Sequence, residues 1–163
     1  MNTPKPLAFE THNHKHCVSE ALEQVEKTCK DAGLRLTPIR KRVLEILLEE
    51  HKAMGAYDIL DRLRQESRNA QPPVAYRALD FLVNHGFVHK LQNLNAFIAC
   101  DHPHDPHTPI FMICTDCSAV AEANIGQGRT AIDRAAETVG FQINKRVIEA
   151  EGLCPKCQEG PSL

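Results

Sequence analysis

Two cysteine pairs, Cys114-Thr-Asp-Cys117 and Cys154-Pro-Lys-Cys157, are the most chemically specific feature of the chain. A C-x-x-C turn presents two thiolates across one edge of a tetrahedron. Two such turns complete a four-cysteine site of the kind that holds zinc at about 2.3 Å. With all four positions filled by protein, such a site has no opening for a substrate, and its role is structural. The redox reading of C-x-x-C needs a thioredoxin-like βαβ context, which the flanking pattern lacks. A second group of donors lies in Asp101-His102-Pro-His104-Asp-Pro-His107, flanked by His89 and Cys100 before it and Glu122 after. Imidazole, thiolate and carboxylate together suit Zn2+, and the thiolate makes Mg2+ and Mn2+ poor occupants. The same stretch reads equally as a solvated His/Pro linker beside an apolar strand cysteine, and spacing does not choose between the two. A third cluster, His12, His14, His16 and Cys17, falls in a polar stretch (1–17) that reads as a flexible tail. Cys29 sits on a helical apolar stripe and is expected in a core; His51 and His85 are expected at the surface.

The composition agrees with metal chemistry. The 163 residues include seven cysteines and nine histidines, and the formal charge is −2. No apolar run approaches a membrane span, and residues 1–10 lack the apolar segment of a secretory signal. A cytoplasmic, reducing setting is therefore expected, where cysteines in number point to metal rather than disulfides. The charge is unevenly spread. Residues 1–98 hold 14 basic and 12 acidic side chains, whereas residues 99–163 hold 5 and 9 and carry five of the seven cysteines. The near-neutral total excludes a uniformly basic nucleic-acid binder but leaves room for a local basic face.

The front half repeats apolar positions at helical spacing four times. Val18, Leu22, Val25 and Cys29 form one stripe, closed by Gly33. Thr37-Pro38 reads as N-cap and first residue of a second helix, with Ile39, Val43, Ile46 and Leu47 inward. Ala56, Ile59, Leu60 and Leu63 give a third. A fourth follows Gln71-Pro72-Pro73, with Ala75, Ala78, Leu79 and Leu82 inward and Gly86 ending it. Residues 87–91 and 96–100 then read as a β-hairpin. Helices followed by a hairpin describe a winged helix-turn-helix, with the fourth helix as its recognition helix. Its outward face carries Tyr76, Arg77 and Asp80, and Arg35 precedes the second helix; Arg77 suits a phosphate or guanine contact. An ordinary solvated face looks the same. In the back half, residues 119–124 read as a strand and Thr130 with Asp133 as a capping box. Ile132, Ala135, Ala136 and Val139 form the expected buried stripe of the next helix, and residues 141–151 a long strand. The fold class is thus α+β: a winged-helix domain (18–98), a hinge (99–109) and a small α/β dimerisation and zinc-binding domain (110–163). An exposed strand edge in so small a unit invites a second copy.

Leu36-Thr-Pro-Ile-Arg40, Tyr76-Arg-Ala-Leu79, Gly86-Phe-Val-His89, the His-rich hinge and the paired C-x-x-C turns occur together in this order. With residues 56–61 and 147–154, they make the chain resemble the ferric uptake regulator family, and within it the zinc-sensing branch, from about residue 19 to Cys157. The resemblance implies a cytoplasmic, homodimeric, zinc-responsive repressor of zinc-uptake genes, not an enzyme, that binds double-stranded operator DNA. It leaves one or two dimers per operator open. It implies two zinc ions per protomer: a structural one on Cys114, Cys117, Cys154 and Cys157, and a regulatory one on His89, Cys100, His107 and Glu122. The DNA contacts it implies are Arg35, Tyr57, Tyr76 and Arg77.

Some residues depart from the family pattern. Val74 stands where Ser or Thr usually precedes the recognition helix, and Val cannot cap by a side-chain hydrogen bond. The loop from Cys100 to His107 is one residue short, which makes His102 and His104 competitors of His107. Asp61 and Arg64 read either as a bridge between neighbouring dimers or as an ordinary i,i+3 surface pair. The alternatives are an iron- or peroxide-responsive member of the same family, or a zinc enzyme. The deaminase form of the latter needs H-x-E before P-C-x-x-C, and the chain has neither.

Overall fold

The computed structural model describes residues 14–49, 52–67, 69–103, 107–124, 130–144 and 146–160. His12, His51 and His104 lie outside the described residues, as do the side chains of His14, His16 and Cys17. Four helices open the fold: α1 (His14–Asp31), α2 (Pro38–Glu49), α3 (Ala56–Glu66) and α4 (Pro72–Asn84). The first begins inside the stretch read as a tail. It ends where Gly33, at φ +66°, lets Leu34 N–H reach the Cys29 carbonyl at 2.7 Å. A left-handed residue there satisfies carbonyls the helix leaves open, and glycine adopts it without Cβ strain. Gly86 does the same for α4, with Phe87 N–H on the Leu82 carbonyl at 2.9 Å. As expected, Thr37 caps α2 through its hydroxyl and Pro38 opens it. The inward residues pack into one core with Val25, Cys29, Val43, Ile46, Leu47, Ile59, Leu79 and Leu82 all buried. Leu44 joins them, whereas Ile39 is only half-buried.

Helix α4, the expected recognition helix, starts earlier than expected. Gln71 is its N-cap, without a side-chain cap bond, and prolines occupy the first turn. Val74 is therefore a residue of the first turn and not the cap, so it costs no capping hydrogen bond.

The hairpin pairs β1 (Val88–Leu91) antiparallel with β2 (Ala96–Ala99), Leu91 opposite Ala96. Met54 adds a bridge to Phe97 on the hairpin's edge, a third-strand contact that sequence periodicity did not reveal. Strand alternation sends Val88, Phe97 and Ala99 into the helical core. It sends Leu91 and Ile98 to the opposite face.

There they meet the second sheet, built of β3 (Pro109–Cys114), β4 (Val120–Asn124) and β5 (Ile148–Gly152) in the order β4-β3-β5. Leu91, Ile98, Phe111, Ile113 and Val120 form a buried apolar cluster, with Ala53 packed against it, that joins the two halves. The strand β4 is close to the expected 119–124. The expected long strand is not formed: only residues 148–152 pair, and residues 141–147 run as irregular chain where described.

Helix α5 (Ala131–Thr138) carries the expected capping box, with Thr130 and Asp133 bonded reciprocally. Its apolar stripe is not buried, however. None of its residues is buried, and Val139 just beyond is 77 % exposed. Periodicity identified an amphipathic helix correctly, but a helix needs a neighbour to bury its stripe, and among the described residues of one chain this helix has none. A short α6 (Pro155–Gln158) completes the fold. Among the described residues no helix is long and apolar enough to cross a membrane.

Candidate metal centres and nucleic-acid face

The parallel pairing of β3 with β5 places Cys114 opposite Gly152, so both cysteine turns leave the sheet side by side. Cys114 and Cys117 flank the turn after β3, closed by Ser118 N–H on the Cys114 carbonyl at 3.0 Å. Cys154 caps α6 and Cys157 lies within it. The four sulfurs all lie within 4.8 Å of one another, and those of Cys117 and Cys154 are 3.7 Å apart. That is near the tetrahedral edge of about 3.8 Å that four Zn–S distances of about 2.3 Å define. It is far from the roughly 2.05 Å of a disulfide, and all four cysteines are free. Backbone N–H groups of Cys117 and Cys154 stabilise the Cys114 thiolate and lower its pKa to about 6. A hydrogen bond to the Asp116 carboxylate, followed by those to the neighbouring sulfurs, pushes the Cys157 thiol up. The N–H groups around Cys114 thus favour the ionised sulfur, the form that ligates a metal.

The second cluster gathers His89 from β1, Cys100 just after β2, His107 just before β3 and Glu122 from β4. All four ligand atoms lie within 4.8 Å of one another. Cys100 Sγ is 3.6 Å from His107 Nε2 and 3.8 Å from Glu122 Oε1. His107 Nε2 is hydrogen-bonded to Glu122 Oε1 at 2.6 Å. His89 Nε2 lies 3.4 Å from the same oxygen, out of hydrogen-bond alignment, and is a buried nitrogen with no hydrogen-bond partner. A buried, unsatisfied imidazole aimed at a carboxylate, an imidazole and a thiol fits a cation of borderline softness such as zinc. His102 is exposed and contributes only its backbone N–H, to Cys100 Sγ at 3.4 Å. Among the described residues, His107 takes the position for which it competed.

The electrostatics follow from burial. The Glu122 side chain is 2 % exposed. Burial opposes its charge, but His89, the Asp101 N–H and His107 outweigh that and hold its pKa below the ordinary value. Burial, reinforced by the Glu122 charge, pushes the Cys100 thiol strongly up. The His89 ring also packs against Phe111, centroids 5.2 Å apart, which fixes its orientation from the second half of the chain.

On α4, Tyr76 and Arg77 are exposed, as is Asp80. Tyr57, in the first turn of α3, is 70 % exposed, and Arg35 is exposed in the loop before α2. Sequence reading missed Arg40. Its guanidinium lies 3.8 Å over the Phe81 ring of α4 and donates to the Arg35 carbonyl at 2.6 Å, tying that loop to α4. Asp61 and Arg64 form the ordinary i,i+3 pair at 3.7 Å.

Similarities to known proteins bear on this arrangement. Zinc uptake regulation protein of Escherichia coli (strain K12) is 41 % identical over 146 residues, 89 % of this chain and 85 % of that protein. A solved structure titled zinc uptake regulator complexed with zinc and DNA superposes with a TM-score of 0.82 at 41 % identity, over 87 % of this chain and 95 % of that one. The holo structure of XcZur gives 0.79 at 40 % identity over 86 % and 99 % of the two chains. Its apo structure gives only 0.51 at 40 % over 88 % and 99 %. The model of the ferric uptake regulator family matches residues 31–150, from the end of α1 into β5, and stops before the second cysteine pair. On that extent of agreement the chain belongs to the ferric uptake regulator family.

Proposed function

We propose that the chain is a zinc-responsive transcriptional repressor, acting as a cytoplasmic homodimer on double-stranded operator DNA upstream of zinc-uptake genes. The observation that carries this reading is the composition of the hinge cluster. Its donors come from both halves of the chain, and one of them, Cys100, is a thiol, which favours zinc over Fe2+. The repressor reading also rests on similarity to zinc uptake regulators, one of them solved with zinc and DNA.

Two zinc sites per protomer are proposed. Cys114, Cys117, Cys154 and Cys157 would hold a structural ion within one domain. His89, Cys100, His107 and Glu122 would hold the regulatory ion between domains. When bound there, zinc supplies a positive charge that neutralises Glu122 and the Cys100 thiolate and engages the unpartnered His89 nitrogen. Everything else is done by the chain. Glu122 holds the Asp101 N–H at 3.0 Å and His107 at 2.6 Å, keeping the connection between the halves against β4. Leu91 and Ile98 exclude water from the junction with Phe111, Ile113 and Val120. A cluster complete only when the hairpin lies on the second sheet binds one arrangement selectively and shifts its population. The superposition on a holo relative far better than on its apo form supports that reading.

The apolar side of α5 and the residues just after it, with Ile132, Val139 and Phe141 exposed, would be the surface for the second protomer. A fixed hinge then fixes the separation of two recognition helices, which must span half-sites about 34 Å apart. Tyr57, Tyr76, Arg77 and Arg35 would make the DNA contacts.

The test uses a duplex selected from a random pool by the wild-type protein under zinc. Binding is measured with Zn2+, Fe2+ and Mn2+ supplied separately at buffered free concentration. Zinc alone should support tight binding. Cys100→Ser should lose it while remaining a dimer with one chelation-resistant zinc. Unaltered zinc dependence in Cys100→Ser would overturn the regulatory site, and binding supported by Fe2+ but not Zn2+ would overturn the zinc reading.

A further inference from the structure

The tip of the hairpin touches the second sheet through a carboxylate that neither candidate metal site uses. The Gln92 N–H donates to Glu149 Oε1 at 2.6 Å, and the Asn93 N–H donates to Oε2 at 3.0 Å. These amides belong to the turn, beyond the last hairpin pair of Leu91 with Ala96. Glu149 lies on β5, opposite Phe111 of β3. Phe111 is the residue against which His89 packs, and His89 precedes Gln92 by three positions on the same hairpin. One carboxylate thus receives two consecutive backbone N–H groups from the other half of the chain, close in the fold to the His89 end of the regulatory cluster.

We infer that Glu149 is a positioning residue for zinc sensing: a metal-independent latch that holds the hairpin on the second sheet and sets the free-zinc concentration of the response. The inference deepens the function proposed above and rests on it. Hydrogen bonds from N–H to an ionised carboxylate are roughly twice as strong as neutral ones. Donor and acceptor lie in different halves, so the bonds exist only when the halves are closed. The latch therefore raises the fraction of metal-free protein that already presents the complete cluster. The apparent zinc affinity equals the intrinsic affinity weighted by that fraction. Losing the latch raises the zinc requirement while leaving the ligands and the DNA-reading face intact.

The experiment compares wild type, Glu149→Gln and Glu151→Gln, the last carrying the same charge change two residues along the same strand. Binding to the selected duplex is titrated against buffered free zinc. Glu149→Gln should move the midpoint up by about fivefold to thirtyfold. Affinity at saturating zinc should stay within about twofold of wild type, with the chelation-resistant zinc retained. Glu151→Gln should leave the midpoint in place. A merely structural role for Glu149 would lower saturating affinity or release the resistant zinc, and either result would overturn the inference. So would an unchanged midpoint, or an equal shift in Glu151→Gln. Hydrogen exchange provides a reading independent of DNA and of the variant's folding. In the wild-type, zinc-loaded protein the Gln92 and Asn93 amides should be protected, and rapid exchange there would overturn the latch alone. Loss of zinc dependence in the wild type would instead overturn the function on which it rests.

Discussion

Replacing Leu91 by Ala tests whether the apolar junction between the halves belongs to the zinc response. Leu91 is fully buried, and its buried cluster partners are Ile98 beside it and Phe111, Ile113 and Val120 across the junction. A buried Leu→Ala change costs about 2–5 kcal/mol in lost transfer energy and cavity. Three of its four buried partners belong to the second sheet, so at least half of that cost falls on closure rather than on the hairpin itself. Closure should therefore lose about 1–2.5 kcal/mol, or roughly 5- to 70-fold in its equilibrium constant. The free-zinc midpoint for duplex binding should rise by that factor. The control is Leu44→Ala. It deletes the same atoms from an equally buried site in the helical core, which has no part in the junction. It should lower the thermal stability of the winged-helix domain with little movement of the midpoint. Fluorescence anisotropy of a labelled duplex against buffered zinc, with thermal unfolding of each variant, separates the two. If Leu44→Ala moves the midpoint as far as Leu91→Ala, or if neither moves it, the junction is packing alone.

The other predictions concern separate parts of the molecule. Cys154→Ser should abolish the chelation-resistant zinc and melt the C-terminal sheet, seen by metal analysis and a lost thermal transition, since structural zinc supplies on the order of 10 kcal/mol of apparent binding energy; a resistant zinc that survives would refute the tetrad. Arg40→Met should weaken duplex binding about fivefold or more without shifting the zinc midpoint, because it removes both the cation over Phe81 and the bond to the Arg35 carbonyl. Arg146, followed by hydrogen bonds from Thr130, holds the Asp133 carboxyl well below the usual carboxylate range. A depressed carboxylate stabilises the fold above its unfolded pKa of about 3.9, and that contribution is lost as pH falls through the folded value. The stability gap between wild type and Asp133→Asn should therefore hold down to about pH 4 and shrink below it, as measured by denaturant unfolding.

What the sequence made legible was whatever is encoded locally. The C-x-x-C turns, the Thr37-Pro38 start of α2, the glycines that end α1 and α4, and the Thr130–Asp133 capping box are each set within a few residues. The helical stripes of the front half were buried because they face one another. The identical pattern in α5 was not, because burial depends on a partner and not on period. The 141–151 stretch misled for a similar reason: β propensity needs a neighbour to pair with, and β3 offers one only to residues 148–152. The cluster of His89, Cys100, His107 and Glu122 was legible as a donor list but not as a geometry, since His89 and Glu122 meet only through the docking of two sheets. Glu149 gave no local signal at all; its partners lie 57 and 56 residues away and are backbone amides, which carry no side-chain signature.

Where the ligands of each metal centre originate decides which equilibrium an ion biases. All four cysteines of the tetrad lie at the ends of two paired strands of one sheet, so an ion held there would stabilise that sheet against unfolding and have no lever on closure. The second cluster draws His89 and Cys100 from the hairpin side and Glu122 from β4, so an ion held there would act on closure. Without an ion, closure buries a His89 nitrogen that lacks a hydrogen bond, and that costs free energy. The apolar junction and the Glu149 contacts act in the opposite sense. A sensor needs the two to nearly cancel. If the junction were much stronger, the protein would close without metal. If it were much weaker, the ion would have to supply far more than the roughly 5.5 kcal/mol of differential affinity that carries a two-state equilibrium from 1:99 to 99:1. On the function proposed above, the unsatisfied His89 nitrogen would be a working part of the switch. A substitution that gave it a protein hydrogen-bond partner should raise duplex binding under chelation by about fivefold or more, measured by anisotropy, and unchanged metal-free binding would refute the reasoning.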